Sequence, residues 1–440
     1  MKNRTIALIM ALIMAAGLLA GCSAGTDSGA GQGIGNVKTT PAAPPAPTTA
    51  APSDKAVELS FIRIGNDAAE GDYWKDVIAR FTAANDGIVI NYDDAAIGEA
   101  METKLNTSFA AGLGYDIIGH GILSVASRVE AGHYMDITDY YNKWEGRDDI
   151  MQAVLANGTY KDRIYGLGYS TTPFLFAYRT DLFEEAGLSG APETWDELAE
   201  YARKLTVKEG DTITRAGFAF PLSAGNFVEF DVFAFGNGSL YYDDAGNPTL
   251  DTPEKAEALT FLKELLPDVS IPYSASDTNP FIAGNAAMVL INNVALTPML
   301  SDPAWAGKVG IAVPPHNAGK AEATFCGCNM LFIGAKCANP DAAFSFIEFA
   351  LSGEEVLNRA KVLHVPVTRT SRVEAFKALD PMNETRAACV ACGIGMPRTT
   401  WATTFQSIRN NMVQEVLYGT ASPADALAAA QAQLLDEIKG

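Results

Sequence analysis

Histidine is scarce in this chain, with four residues in 440. His120, His133, His316 and His364 stand far apart, and no two share the spacing that a metal site on one helix or hairpin needs. Positive charge is also short: 32 Lys and Arg face 52 Asp and Glu, a formal net charge of −20. That balance argues against nucleic acid and against electrostatic docking on anionic lipid, and it suits solubility. There is no Gly-x-Ser-x-Gly elbow, no His-Glu-x-x-His pair and no phosphate-cradling Gly-rich loop with lysine. An enzyme reading therefore lacks its parts, and no cofactor is implied. Carboxylate pairs such as Asp93-Asp94 are ordinary on an acidic surface. No internal repeat is found, and no apolar run beyond the first two dozen residues could span a bilayer.

What is present begins at the leader. Lys2 and Arg4 precede an apolar stretch from Ile6 to Leu19, too short and wrongly flanked for a spanning helix, so residues 1–21 read as a secretory signal. Its close, Leu19-Ala20-Gly21-Cys22, resembles a bacterial lipobox, which implies a diacylglyceryl group on Cys22 and an anchor in the cell membrane. Losing Lys2 and Arg4 takes the formal charge from −20 to −22. Residues 22–54 are rich in Gly, Ala, Pro and Thr, with too little apolar content for a core, and read as a disordered tether. Residues 55–440 are long enough for two lobes.

Alternation at Val57, Leu59 and Phe61 predicts a strand running to Gly65-Asn66-Asp67. A helix follows with Tyr73, Val77, Ile78 and Phe81 on one face, and Asn85-Asp86-Gly87 stops it. A second strand at 88–92, a helix near 98–111 and a third strand at 115–118 complete a β-α-β-α-β order, hence a parallel sheet. Ligands to such sheets lie beyond the carboxyl ends of the strands, which nominates Asn66, Asp67 and His120. Later helices are announced by capping boxes at Thr194-Trp-Asp-Glu197 and Ser352-Gly-Glu-Glu355, and by a capping residue before proline at Thr252, Asn339 and Ser422. Further strands are expected at 287–291, 309–313 and 330–333.

Six stretches, weak singly, occur in a recognisable order. They are Thr103-Lys-Leu with Ala110-Ala-Gly112 and Tyr115-Asp-Ile-Ile118; Tyr165-Gly-Leu-Gly168 through Tyr178-Arg-Thr-Asp-Leu-Phe183; Thr194-Trp-Asp-Glu-Leu198; Phe281 with Gly284-Asn-Ala-Ala-Met288; Ala338-Asn-Pro-Asp-Ala-Ala343; and Val416 with Gly419 and Ser422-Pro423. In this order the chain resembles the family 1 extracellular solute-binding proteins of bacterial ABC importers, the maltose-type and multiple-sugar group. The resemblance implies an α/β, two-lobed periplasmic-binding-protein-like fold, each lobe a mainly parallel sheet flanked by helices, with hinge crossovers between them. It puts 57–167 and 308–364 in one lobe, and 172–303 and 370–440 in the other. It also implies a monomer that captures a sugar or oligosaccharide in the interlobe cleft and delivers it to permease transmembrane subunits. A non-sugar solute, or a receptor role for a sensor kinase, would use the same cleft.

Sugars carry polar rims and weakly apolar faces, so a sugar site pairs stacked rings with hydrogen-bonding side chains. By match to family segments that line the cleft, the candidates are Asn66, Asp67, His120, Tyr169, Ser170, Thr172, Asn226, Phe227, Asn293, Arg398 and Trp401, with Trp401 the foremost stacking ring. The aromatic that such binders often carry after the strand is replaced here by Asn292-Asn-Val-Ala295. Trp195 reads as structural, and Trp74 and Trp144 as packing more than ligand contact. Besides Cys22 there are five cysteines. Cys389 and Cys392 are expected to form a disulfide in an oxidising setting, against the rival of a metal site shared with Cys326 and Cys328.

Overall fold

Leu59 and Phe61 alternate with polar residues, and both are fully buried on β1 (Val57–Ile64). The structure is a computed structural model that describes residues 56–439 apart from 65–67, 96–98, 223–225, 244 and 275–276. Cys22, the leader, the tether, Asn66 and Asp67 lie outside the described residues. Helix α1 (Ala68–Ala84) buries Tyr73, Val77 and Phe81 at the four-residue spacing of one helix face. Trp74 joins them, fully buried, while Ile78 sits at the edge of that face. Gly87, at φ +87°, makes the turn into β2 (Ile88–Ala95), a conformation open to glycine without steric cost. Helix α2 (Glu99–Ala110) and β3 (Ile117–Gly121) complete the unit, with β2 and β3 flanking β1 in parallel.

The next strand, β4 (Gly166–Arg179), is 14 residues long and changes partners midway. After α3 (Trp195–Leu205) and α4 (Val228–Gly236) come β5 (Met288–Asn292), α5 (Asn293–Ser301), β6 (Val309–Ala312) and β7 (Thr324–Ile333). The chain closes through α6 (Gly353–Leu363), α7 (Met382–Ala391), the short β8 (Gly393–Ile394), α8 (Ala402–Leu417) and a last helix, Pro423–Lys439. Among the described residues these eight strands form one sheet, ordered β6-β4-β7-β3-β1-β2, with β5 also on β4 and β8 on β7. Two-stranded ribbons at 159–164 and 207–215 stand apart from it.

Two strands make this one sheet out of two halves. Gly166–Pro173 of β4 runs against Cys326–Phe332 of β7, while Phe174–Tyr178 runs against β5 and Phe176–Arg179 against β6. β7 likewise pairs β3 through Asn329–Ile333 and β8 through Thr324–Phe325. The first half therefore holds β1, β2 and β3, and the second holds β5, β6 and β8. A register shift in β7 between Asn329 and Met330 marks the passage. The change of half after β6 comes later than the expected boundary at 308, because Val309–Ala312 is paired to the far end of β4.

The caps hold with two exceptions. Thr194 and Glu197 form the full box, and Thr252 and Ser422 accept from the amides of Lys255 and Asp425. Ser352 accepts from the Glu355 amide, but the Glu355 carboxylate turns away from the cap to take Arg80 at 2.8 and 2.9 Å and the Tyr73 hydroxyl at 3.1 Å. Asn339 makes no side-chain cap bond. Cys326 and Cys328, expected ahead of a strand, lie within β7 and are buried. Among the described residues no helix is long and apolar enough to cross a membrane.

Candidate functional site

The two halves meet over the crossing strands. A cavity of about 10 Å³, room for about one water, lies at this junction. Glu70 reaches it from α1, Ser170 from β4 and Asn329 from β7, while Val294 and Thr297 of α5 close it from the second half. Leu363 and Val365, on the segment leaving α6, supply the remaining wall. Glu70 is held by Arg63 at 2.9 Å. Arg63, itself fully buried, also donates to the Tyr92 hydroxyl at 2.9 Å and the Ile64 carbonyl at 2.7 Å. Further along, Gly395 approaches the first half: a methyl group placed on it would stand 3.3 Å from Asn157 Oδ1 and 3.5 Å from Ile122 Cδ1.

The register shift separates the β4 candidates: Ser170 stands opposite Asn329 and Gly168 opposite Met330, so Tyr169 is the extra residue between them. Ser170 faces the cavity. Tyr169 faces the core at 1% exposure, edge-on to Trp74 with ring centroids 5.0 Å apart, its hydroxyl buried with no partner among the described residues. The guanidinium of Arg359 lies over Tyr73, Trp74 and Tyr169 at 5.3, 5.0 and 5.2 Å and donates to the Tyr169 carbonyl at 2.8 Å. Tyr169 thus fastens α6 to the crossing strand. Thr172, on the same face as Ser170, is half-buried, and its carbonyl accepts from Asn292 at 3.4 Å.

His120, next to last in β3, turns inward at 6% exposure. Its Nε2 meets Glu102 at 2.7 Å and its Nδ1 meets Ser124 Oγ at 2.8 Å. Arg128 closes the network on the other Glu102 oxygen. The hydrogen bond from His120, with further attraction from Arg128, pulls the Glu102 carboxyl down to about 2 against the opposing effect of its burial. Asn293 is likewise occupied: its amide donates to the His364 carbonyl at 2.9 Å, and its oxygen accepts from Arg386 at 2.8 Å.

In the second half, Asn226 is exposed at the entry to α4, whereas Phe227 is fully buried. Arg409 of α8 holds both, donating to the Asn226 side-chain oxygen at 2.8 Å and the Phe227 carbonyl at 3.0 Å. Arg409 also forms a wholly buried ion pair with Asp231, which accepts the Tyr241 hydroxyl at 2.8 Å. Glu229, in the first turn of α4, has a buried Oε2 with no partner among the described residues, and burial raises its carboxyl to about 7. Trp401 opens α8 half-exposed, leaning on Phe405 with centroids 5.8 Å apart, and Arg398 stands exposed just before it.

Sequence reasoning missed Glu70, Asn329, Arg359, Arg409 and Glu229. Asn329, the one amide in an otherwise apolar run of β7, carried a readable signal; the others act through partners far away in sequence. Trp195 and Trp74 are core residues, and Trp144 packs under Arg369 at 4.9 Å. All five described cysteines are free thiols, so the expected Cys389–Cys392 bond is not formed. Cys389 on α7 turns toward the Ala312 carbonyl at 4.0 Å, while Cys392 turns back to the Cys389 carbonyl at 3.8 Å. No cluster of three or more His, Cys, Asp or Glu among the described residues is arranged to hold a metal ion.

Residues 65–356 match the family described as bacterial extracellular solute-binding protein. The "Probable ABC transporter-binding protein" of Deinococcus radiodurans is 25% identical over 305 residues, 66% of this chain and 72% of its own length. The mannitol-binding protein of Pseudomonas aeruginosa is 26% identical over 323 residues, 66% and 73% of the two chains. Among solved structures, an ABC transporter solute-binding protein of Agrobacterium radiobacter in complex with ribitol is 26% identical, with a TM-score of 0.74 over 86% of this chain and 98% of its own.

Proposed function

This chain belongs to the bacterial extracellular solute-binding protein family, and from that premise we propose that its solute is a polyhydroxylated small molecule, a sugar or oligosaccharide, held between the two halves of the sheet. The protein is a solute-binding protein of an ABC transporter and not an enzyme. The observation that carries the choice of solute is the junction itself. Short polar side chains, Ser170 and Asn329, and the carboxylate of Glu70 meet above the crossing strands. The ring of Trp401 is half-exposed on the second half, where Asn226 is also exposed. Hydroxyl-rich solutes need this mixture of acceptors, donors and an aromatic face. The ligands of the mannitol and ribitol binders are of the same chemical class.

In this reading Asn66, Asp67, Ser170, Thr172, Asn226, Arg398 and Trp401 bind the solute. His120, Tyr169, Phe227 and Asn293 hold these neighbours in position. Solute would favour the closed arrangement of the halves, since only a difference in affinity between states shifts them. The lobes follow the halves of the sheet, with crossovers at β4, β7 and the segment after α6. A diacyl anchor on Cys22 keeps the monomer beside the permease to which it delivers.

Calorimetry of the protein against monosaccharides, oligosaccharides, sugar alcohols, amino acids and metals tests the proposal. A sugar or polyol should bind, and Trp401→Ala should weaken it by about 1–3 kcal/mol through lost stacking. Binding of amino acids or metals alone would sink the reading, and an unchanged affinity would remove Trp401 from the site. Cys22→Ala should leave the protein without attached lipid; a lipidated variant refutes the anchor.

A further inference from the structure

Three thiols from two distant segments come together where β8 joins β7. Cys326 lies on β7, Cys389 on the last turn of α7, and Cys392 closes that helix. Pairing of β8 with β7 sets Thr324 opposite Gly393, and the Thr324 amide donates to the Cys392 carbonyl at 3.3 Å. Gly393 leaves the room that Cys326 occupies. A methyl group placed on Gly393 would stand 2.4 Å from Cys326 Cβ and 3.0 Å from the Cys389 carbonyl oxygen. Cys392 Sγ lies 3.8 Å from that same oxygen. Cys326 therefore adjoins Gly393, the residue that follows Cys392. Cys389 is fully buried with its sulfur turned to Ala312, whereas Cys392 is partly open to solvent.

We propose that Cys326 and Cys392 are a dithiol pair that a small disulfide oxidant, such as oxidised glutathione, converts to a disulfide. The bond would tie crossing strand β7 to the turn between α7 and β8. The Cys392 thiolate attacks one sulfur of the oxidant and releases one glutathione thiolate, which takes up the Cys392 proton. The Cys326 thiolate then attacks Cys392 Sγ in the mixed disulfide and expels the second glutathione. Two protein thiols lose two electrons and two protons, and the oxidant gains both. Burial raises both thiols, Cys392 to about 11 and Cys326 to about 12, so the reaction follows the thiolate fraction and quickens with pH. The bond would lie close to the cavity, since Asn329 and the Gly327 that abuts Thr172 share β7 with Cys326.

The test treats the whole wild-type protein with oxidised glutathione at mildly alkaline pH, alkylates it under native conditions, and maps disulfides by mass spectrometry without reduction. The expected result is a loss of two hydrogens and a single linked peptide pair carrying Cys326 and Cys392, reversed by dithiothreitol. Cys326→Ser should instead stop at a glutathione adduct on Cys392. A Cys389–Cys392 link in the wild type, or a lasting Cys392 adduct beside a free Cys326 thiol, overturns the pairing. Should Cys326→Ser fail to fold, the wild-type peptide map decides alone.

Discussion

Replacing Asp231 with Ala should expose how the second half holds its share of the site. Asp231 is 1% exposed and Arg409 is fully buried, so neither charge has water to fall back on. Asp231 carries two bonds, from Arg409 and from the Tyr241 hydroxyl. Its removal leaves a buried guanidinium without its counter-charge and a buried phenol without its acceptor. Breaking one side of such a pair costs about 3–5 kcal/mol, because the surviving charge stays desolvated. Removing both charges should cost less: in Asp231→Ala/Arg409→Met the charge-desolvation penalty disappears, leaving the unpaired Tyr241 hydroxyl and the lost bonds to Phe227 and Asn226, at about 1 kcal/mol each. Urea unfolding of the wild type, the two single variants and the double variant gives the four corners of the cycle. A favourable coupling above about 2 kcal/mol is expected. A loss below about 1 kcal/mol for Asp231→Ala, or simple additivity in the double variant, would refute the reasoning.

Two further outcomes concern the packing. Lys255 is 1% exposed and gives its three donors to Ser239, Leu240 and Thr249, yet burial lowers it from 10.5 to about 8. The unfolded chain then holds more protons between pH 8 and 10.5, so this group adds stability as pH rises through that window. The difference in urea midpoint between wild type and Lys255→Met should therefore change with pH there, and a constant difference contradicts the assignment. In Gly168→Ala the new methyl would stand 2.4 Å from Val154 Cγ1 and 2.6 Å from Cys328 Sγ, so overpacking should cost about 1–3 kcal/mol, read as a lowered denaturation midpoint.

Local pattern carried the first half of the sheet into view. Alternation found β1, the four-residue spacing found α1, and turn residues separated the elements in their actual order. The start of β7 was hidden because Cys326-Gly-Cys328-Asn329 offers neither branched residues nor alternation, although buried cysteine packs as a small hydrophobe. Within the site, segments were legible and facing was less so. Tyr169 and Ser170 are neighbours in sequence, yet the register shift at Tyr169, which local pattern does not announce, leaves one against Arg359 and the other at the cavity. Asn293 resembles a ligand amide until Arg386, distant in the chain, takes its oxygen. Such partners leave no local trace, and the same holds for Arg409 with Asp231 and for Glu355 with Arg80.

The placement of β7 constrains how the chain can be made. This strand lies between β3 and β4, which precede it by a long stretch of sequence. Until residues 324–333 have been synthesised, the inner edges of β3 and β4 face no strand, and their unpaired amides and carbonyls are open templates for a neighbouring chain. The first half cannot close its core as an autonomous early domain, since the strand that joins β3 to β4 arrives after β5 and β6 of the second half. A nascent or translocating chain must therefore carry two open strand edges from the completion of β4 at Arg179 until β7 begins at Thr324, the condition under which intermolecular pairing competes with folding.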